Sequence, residues 1–347
     1  MPELTSAPRP RAIARWLIVI ALFIFLMVIV GGITRLTESG LSMVKWEPVA
    51  GAIPPLNEQQ WQAEFDGYKA TPEYRKINRG MSLGEFKRIF FWEYLHRLIG
   101  RSIGLIFALP LAWFAWKRAI PKGYGWRLTG ILALGGLQGA IGWWMVASGL
   151  VDRPDVSHLR LATHLLTALL LFSVTIWTAL DLFALARDPA ARPARLIPFT
   201  AAALIILAIQ IMLGAFVAGL DAGYAFASWP KMGDEWFPSG GWNDAWGLVA
   251  NLRDNPIVVQ FVHRWFAWIA VIAALLTARK ARAAGAIGPV HAIATFTIVQ
   301  IMLGIATLMT GVAIPIAAAH QAVAALLLAA MVAAAHRIGS APNARVS

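Results

Sequence analysis

The sequence contains no cysteine among its 347 residues. Disulfides, thiolate haem ligands, iron–sulfur clusters and covalent c-type haem attachment are therefore excluded, because each needs a cysteine sulfur. Charged residues are also scarce, at 14% of the chain, where a soluble domain carries about 25%. With 59% hydrophobic residues, the composition argues against a disordered chain and against a basic nucleic-acid-binding protein, in spite of the net charge of +12. It indicates an integral membrane protein whose surface faces lipid.

Eight apolar stretches are long enough to cross a bilayer as helices, which takes roughly 20 residues each. Backbone N–H and C=O groups in lipid must be satisfied within the segment, and none of these stretches alternates as a strand does, so helices are predicted. We expect the first stretch to be an uncleaved helix, because no small-residue cleavage site follows it. The predicted spans cover residues 13–34, 89–116, 126–148, 157–180, 197–219, 256–278, 289–311 and 313–336.

Basic residues in the short loops predict which way the spans point. With the N-terminus inside, fifteen Lys and Arg residues and only three acidic residues fall in the inner segments, which accounts for the whole net charge of +12. Lys and Arg concentrate in cytoplasmic loops, so both termini are predicted to be cytoplasmic. Two long outer segments, about 35–88 and 220–255, are rich in Trp and Pro, as is typical of structured lids and of an aromatic belt at the membrane interface.

The chain contains an internal repeat in which each of the first four spans resembles the span four places later. Glycine and tryptophan stand six residues apart after the first span (Gly40, Trp46) and after the fifth (Gly223, Trp229). The second and sixth spans carry EYLHR and QFVHR, and the fourth and eighth each carry a histidine before a run of Leu and Ala. We therefore predict an all-α membrane protein whose eight transmembrane helices form two parallel-repeat four-helix bundles. The predicted halves are 1–190, with the long outer loop 35–88, and 191–347.

Four of the seven histidines occupy equivalent positions in this repeat, roughly two turns inside the outer ends of their helices. They are His96, His164, His263 and His320. Ionisable residues within membrane spans are costly and usually functional. A pair of imidazoles at one depth is what bis-histidine haem ligation requires, whereas zinc, the alternative metal, prefers three or four converging ligands. Two haem sites, one in each half, are therefore predicted. The other histidines lack repeat partners and are interpreted as interfacial: His158, His291 and His336.

One carboxylate distinguishes the two predicted sites. Glu93 precedes His96 by three residues, on the same helix face, whereas Gln260 takes that place before His263. A carboxylate in an apolar pocket can act as a general base, so chemistry is predicted in the N-terminal half and electron storage or structural support in the other. The simpler alternative is that Glu93 anchors a loop or pairs with Arg97. Three arginines are candidates for contacts with haem propionates, or else for snorkelling to the interface: Arg35, Arg97 and Arg264.

Together these motifs resemble the haem A synthase family over nearly the whole chain. The resemblance is carried by GGITRLTESGLSMVKWEPVAGAIPP, EFKRIFFWEYLHRLIGR, VSHLRLATHL, QFVHR and AAAHQ. Because it lacks cysteine, the chain resembles the cysteine-free branch of this family, which is found in alphaproteobacteria and mitochondria. The resemblance implies oxidation of a methyl group of haem O to the formyl group of haem A, with a bound haem b as cofactor. It also implies that His96 and His164 flank the substrate haem, that Glu93 is the catalytic carboxylate, and that His263 and His320 are the axial ligands of the haem b iron.

The same resemblance implies a location and partners. We expect the bacterial inner membrane in preference to the mitochondrial one, with membrane lipid around the helices and no nucleic acid. Haem O synthase, a protohaem farnesyltransferase, would supply the substrate haem O. The electron acceptor is left open, and so is a homo-oligomer.

Two chemical routes and two other functional classes stay open at this point. Water deprotonated by Glu93 could attack the oxidised ring methyl, or oxygen could be activated at the iron, which requires His96 or His164 to move away. A two-haem b-type cytochrome that only carries electrons is the main alternative, and a transporter is another. Four histidines near one membrane face argue against the carrier, and the scarcity of helix breaks, with Pro110 the one candidate, argues against the transporter.

Overall fold

The computed structural model describes residues 7–45, 50–150 and 154–340, so that Trp46 of the repeat motif lies outside the described residues. The described residues form α-helices and connecting loops, without a β-strand. Eleven α-helices occur in these ranges: α1 (Pro10–Leu36), α2 (Glu58–Lys69), α3 (Pro72–Lys76), α4 (Leu83–Trp116), α5 (Gly125–Val146), α6 (His158–Arg187), α7 (Pro198–Gly219), α8 (Leu248–Asp254), α9 (Pro256–Ala283), α10 (Ile287–Met309) and α11 (Ile314–Ser340).

Eight of the described helices are long and apolar enough to cross a membrane, and they correspond to the eight predicted spans. The largest difference at a start is in α4, which begins at Leu83, several residues before the predicted span. Ser82 and Glu85 form a capping box there, in which each side chain accepts a hydrogen bond from the backbone of the other residue. The same helix continues through Pro110 without a break. The all-α membrane fold is therefore confirmed, and α4 is not a broken helix.

The transmembrane helices pack as two groups of four with corresponding neighbours. In the N-terminal group α1 packs on α4, α4 on α5, α5 on α6 and α6 on α1. In the C-terminal group α7 packs on α9, α9 on α10, α10 on α11 and α11 on α7, in the same order. The groups meet where α1 packs on α11 and where α6 packs on α7 and α11. This packing is compatible with the predicted repeat. It also leaves α5 and α10 mostly exposed, as expected for helices that face lipid.

The buried apolar core lies where the two groups meet. Ile13, Leu17 and Ile20 of α1 are fully buried at helical spacing, as is Leu182 of α6. Small residues such as Ala334 of α11 are also fully buried and allow the helices to approach closely. Gly135 and Gly139 of α5 are four residues apart, a spacing typical of close helix packing, but only Gly135 approaches a neighbouring helix. Leu171 of α6 lies 4.0 Å from a Cβ built on Gly135, whereas a Cβ on Gly139 would meet nothing within 4 Å.

The segment predicted to be the first outer loop is folded, as expected for a structured lid. The helices α2 and α3 begin at side-chain caps provided by Asn57 and Thr71. Aromatic rings then pack the segment onto the outer end of α4: the Phe65 and Phe86 rings are stacked with centroids 5.0 Å apart, and Tyr68 is fully buried beside them. This packing covers the outer end of the N-terminal half.

The histidines interpreted as interfacial do lie at or near helix ends, but two of them are buried. His158 begins α6 and its Nε2 lies 3.1 Å from Asp254 Oδ1, while His336 Nε2 lies 2.9 Å from Asp181 Oδ1 near the inner end of α11. His291 is exposed. The hydrogen bond to Asp181 explains the burial of His336, because a buried polar group must be hydrogen-bonded, and His158 lies at ion-pair distance from Asp254.

Candidate functional site

The four predicted ligand histidines lie on four helices, two in each half of the bundle. His96 on α4 is close enough to His164 on α6 for an electrostatic interaction between the rings, and His263 on α9 is similarly close to His320 on α11. Within the described residues no three His, Asp or Glu side chains come together as a metal-binding group. The donor sets brought together are therefore two pairs of histidines.

Each histidine ring lies against a glycine of the neighbouring helix. A Cβ built on Gly142, Gly214 or Gly304 would lie 2.8, 3.1 or 3.0 Å from Cε1 of the facing histidine ring, where ordinary contacts begin at 3.4 Å. The facing rings are those of His164, His263 and His320, respectively, and a Cβ on Gly31 would lie 3.1 Å from Nε2 of His96. Any other residue would displace the ring, so each glycine forms a cradle for one histidine.

A glutamine one turn before the glycine contacts three of the four histidines. Gln138 Nε2 lies 3.0 Å from Nδ1 of His164 and donates to the backbone oxygen of the same residue at 2.9 Å. Gln210 makes the same two contacts with His263, both at 3.1 Å. Gln300 Nε2 lies 3.4 Å from Nε2 of His320, a longer contact that involves the other ring nitrogen. The glutamines therefore hold these rings in place.

The same glutamines allow a test of whether the residues fit a haem iron. The amide oxygens of Gln138, Gln210 and Gln300 are buried and have no hydrogen-bond partner. A histidine that ligates a metal through one ring nitrogen normally donates the N–H of the other to a carbonyl or carboxylate oxygen. Rotation of each amide by 180° would present such an oxygen to the ring, in exchange for the hydrogen bonds that Gln138 and Gln210 now donate to the backbone oxygens of the histidines. The histidines, with their unpaired acceptors and glycine cradles, fit a group that is held between two imidazoles.

A cavity of about 310 Å³ lies in the C-terminal half, and its walls are mostly apolar. Both His263 and His320 line it, together with residues of α7, α9, α10 and α11. Helix α1 of the other half contributes Arg35, whose guanidinium donates to both carboxylate oxygens of Asp221 at 3.0 Å. Arg35 therefore borders the C-terminal cavity although it belongs to the N-terminal half. Its partner Asp221 is 186 residues further along the chain. The predicted contact of Arg35 with a propionate stays a prediction.

Glu93 is buried and its carboxylate is fully engaged. Oε2 accepts hydrogen bonds from the Ser42 hydroxyl and the Met43 backbone N–H, each at 2.7 Å, and Oε1 accepts from Arg97 at 2.6 Å. Arg97 also donates to the backbone oxygens of Met43 and Lys45. Anchoring of the first outer loop and pairing with Arg97, the simpler alternative for Glu93, are thus present in the structure. The role as a base stays a prediction.

The C-terminal half repeats this loop anchor with an amide in place of the carboxylate. Arg264 donates to the backbone oxygens of Phe226 and Ser228, at 2.9 and 2.8 Å, and to Gln260 Oε1 at 3.1 Å. In the repeat, Phe226 and Ser228 correspond to Met43 and Lys45. The guanidinium groups of Arg97 and Arg264 are therefore occupied by loop carbonyls, and their predicted propionate contacts stay predictions.

The sequence interpretation missed the glutamines and glycines, although a signal for them is present. The pattern Gln-x-x-x-Gly occurs as QGAIG at 138–142 and as QIMLG at both 210–214 and 300–304. At the fourth equivalent place the sequence has MVIVG, with Met27 before Gly31. A glutamine in an apolar span that recurs four residues before a glycine predicts a polar contact beside a closely packed group.

The fold and the paired histidines define a polytopic membrane protein with a two-histidine site in each half. Comparison with known proteins is more specific. The family model described as cytochrome oxidase assembly protein matches residues 14–332. Heme A synthase of Rhizorhabdus wittichii is 66% identical over 332 residues, which cover 95% of each chain. Heme A synthase of Sphingopyxis alaskensis is 54% identical over 334 residues, 96% of this chain and 94% of the relative.

The chain belongs to the haem A synthase family. The resemblance inferred from the sequence motifs is thereby confirmed, and with it the assignment as an oxidoreductase. The lack of cysteine is consistent with the cysteine-free branch.

Proposed function

We propose that this protein is a haem A synthase of a bacterial inner membrane, which oxidises the methyl group of haem O to the formyl group of haem A. The observation that carries the proposal is the pair of histidine sites in glycine cradles, which differ in the residue three places before the first histidine: Glu93 in the N-terminal half and Gln260 in the C-terminal half. Similarity to heme A synthases over 95% of the chain supports the substrate and the product. A protein that only carried electrons would not need this difference between its two sites.

The N-terminal half binds the substrate in this proposal. His96 and His164 flank haem O, and the adjacent helices exclude bulk water from its ring. Oxidation of a methyl group to a formyl group consumes one water and releases four electrons and four protons. An electron acceptor must therefore take up the electrons, and a base near the methyl group must take up protons. Glu93 is the carboxylate nearest in sequence to a substrate ligand, so we assign the proton uptake to it.

Arg97 positions the proposed base, because its guanidinium donates a hydrogen bond to Glu93 Oε1 at 2.6 Å. Water gains a place at Oε2 when one of the two donors there turns away. The Ser42 hydroxyl is the donor that can turn away, because a hydroxyl group rotates freely whereas the Met43 N–H is fixed in the backbone. Water that replaces the Ser42 contact would then be positioned at Oε2.

The C-terminal half binds the resident cofactor in this proposal. His263 and His320 would hold the iron of haem b, and Gln210 and Gln300 would position the two histidine rings. When bound, haem b would supply one-electron redox chemistry. Arg35 provides a cation at the wall of the mostly apolar cavity that both histidines line. Haem O synthase supplies the substrate, and both chain termini lie on the cytoplasmic side.

The variant Glu93→Gln tests the assignment of the base. A general base typically contributes about 10²–10⁴ in rate, so the ratio of formyl product to haem O should fall by at least about a hundredfold. Ser42→Ala is the matched control, because it removes a hydrogen bond from the same carboxylate but leaves the base. We expect only a several-fold loss there. Equal, modest losses in both variants would show that Glu93 only anchors the loop.

Removal of single histidines tests the division between the halves. We expect His263→Ala and His320→Ala to lose retained haem B, and His96→Ala and His164→Ala to lose retained haem O and its oxidised products. Extraction of the haems from purified protein and their identification by mass measure both. Loss of haem B from the N-terminal variants instead would contradict the assignment.

A further inference from the structure

The four histidines are not held equally, although their glycine cradles are alike. Gln138, Gln210 and Gln300 each bring an amide to a histidine ring, at 3.0, 3.1 and 3.4 Å. At the fourth equivalent position, four residues before Gly31, the chain has Met27. Its thioether has no N–H to donate and is a weak acceptor. Within the described part of the chain, no hydrogen bond to the His96 ring replaces the missing amide.

Met27 fills the space that a glutamine would occupy but contacts a different part of α4. Its Cε lies 3.2 Å from a Cβ built on Gly100, one turn beyond His96. The side chain therefore packs against the helix that carries His96 rather than on the imidazole. A flexible apolar side chain of this kind fills a gap without fixing the orientation of its neighbour.

The His96 ring is also turned differently from the other three. Its Nε2, and next its Cδ2, lie nearest to the Cβ built on Gly31, at 3.1 and 3.4 Å. In His164, His263 and His320 the nearest ring atom is Cε1. The His96 ring thus presents another edge to its cradle, as a ring without a fixed hydrogen bond is free to do.

We propose that His96 is the exchangeable ligand of the N-terminal site, and that a haem bound there stays on His164 while it is released from His96 for entry and exit. Met27 and the three glutamines are the positioning residues that set this difference. The inference rests on the proposed function, since it concerns the site at which substrate must enter and product must leave. A resident haem has no such need, and both of its ligands are held by glutamines.

Carbon monoxide binding to the reduced protein measures the exchange directly. A six-coordinate ferrous haem binds CO only after an axial histidine leaves, so the rate at saturating CO reports the dissociation of that histidine. One hydrogen bond contributes about 1 kcal/mol, so we expect the N-terminal haem to bind CO about fivefold faster than the C-terminal haem. The variants His320→Ala and His164→Ala identify which spectral change belongs to which site.

Substitutions that exchange the residue types of Met27 and Gln210, which occupy equivalent positions of the repeat, test whether these side chains cause the difference in CO rate. Met27→Gln should slow CO binding at the N-terminal site about fivefold, and Gln210→Met should speed it at the C-terminal site by a similar factor. Met27→Leu is the control, since it changes the side chain without adding a donor, and its CO rate should equal that of the unaltered protein. Should Met27→Gln fail to fold, Gln210→Met still tests the proposal, because it places an apolar side chain in an apolar wall.

Equal CO rates at the two sites, or rates that neither exchange alters, would overturn the proposal. The rates are read from whichever haem fills each site and do not depend on product formation. If only haem B is found at both sites, the proposed function fails, whereas the assignment of His96 as the exchangeable ligand is still decided by the two exchanges.

Discussion

A methyl group added to Gly142 would push the ring of His164 out of place. The Cβ of an alanine there would lie 2.8 Å from Cε1 of the ring, about 0.6 Å short of the 3.4 Å at which ordinary contacts begin. Metal–ligand distances vary by only about 0.2 Å, so a shift of this size would break the proposed ligation through His164. Overpacking of this kind costs about 1–3 kcal/mol, which corresponds to about thirtyfold weaker haem binding at the centre of that range.

The substitution should not destabilise helix α5 itself, because alanine is more favourable than glycine in a helix interior by about 1 kcal/mol. Gly139→Ala on the same helix is the matched control, since its added Cβ meets nothing within 4 Å. We expect the control to keep its haem and to melt at the same or a higher temperature. Gly142→Ala should keep its melting temperature without haem but lose low-spin haem at the N-terminal site, as measured by haem content per chain and by optical and EPR spectra. An unaltered low-spin spectrum in Gly142→Ala would refute the cradle.

Two further predictions concern the outer loops. Arg264→Leu removes the charged donor to the Phe226 and Ser228 carbonyls, so the segment 220–255 should be cleaved faster by protease added to the outer side; an unchanged cleavage rate would contradict the anchor. Burial raises the pKa of Glu73 from 4.5 to about 8, so the folded state holds a proton that the unfolded chain releases, and stability is lost as pH rises from 4.5 towards 8. Glu73→Gln should therefore raise the melting temperature more at pH 8 than at pH 5, and an equal change at both pH values would exclude this effect.

The membrane spans and the four histidines could be predicted from the sequence because both leave local signals. A span needs a long apolar run, and a histidine such as His96 or His263 stands out within one. The repeat strengthened each signal, since EYLHR and QFVHR occupy equivalent places. Element ends were less exact, as in α4, whose start depends on the capping box at Ser82 rather than on hydropathy.

Other features depend on partners that leave no side-chain signal. Arg97 and Arg264 follow histidines and so suggested contacts with propionates, whereas the structure places their guanidinium groups on backbone oxygens of the outer loops. A backbone oxygen is available at every residue, so sequence alone does not indicate which one will be used. The bidentate pairing of Arg35 with Asp221 likewise joins groups that are 186 residues apart.

The glycines of the cradles are visible in the sequence, but only the structure shows which of them contact a histidine ring. Glycine is common in membrane helices and is usually explained by close helix packing, as at Gly135. Only the contact with a histidine ring distinguishes Gly142 from Gly139. In the sequence, Gly142 differs from Gly139 because it stands four residues after a glutamine, as do Gly214 and Gly304 in the two QIMLG segments.

The central claim, a substrate haem site beside a resident haem site, is tested most directly by the haems that the protein retains. The chain is expressed in cells that also make haem O, purified, and its haems are extracted and identified by chromatography and mass. The account predicts haem B together with haem O and its hydroxylated or formyl products. Haem B alone, at about two per chain, would contradict it and would instead indicate a b-type cytochrome that carries electrons.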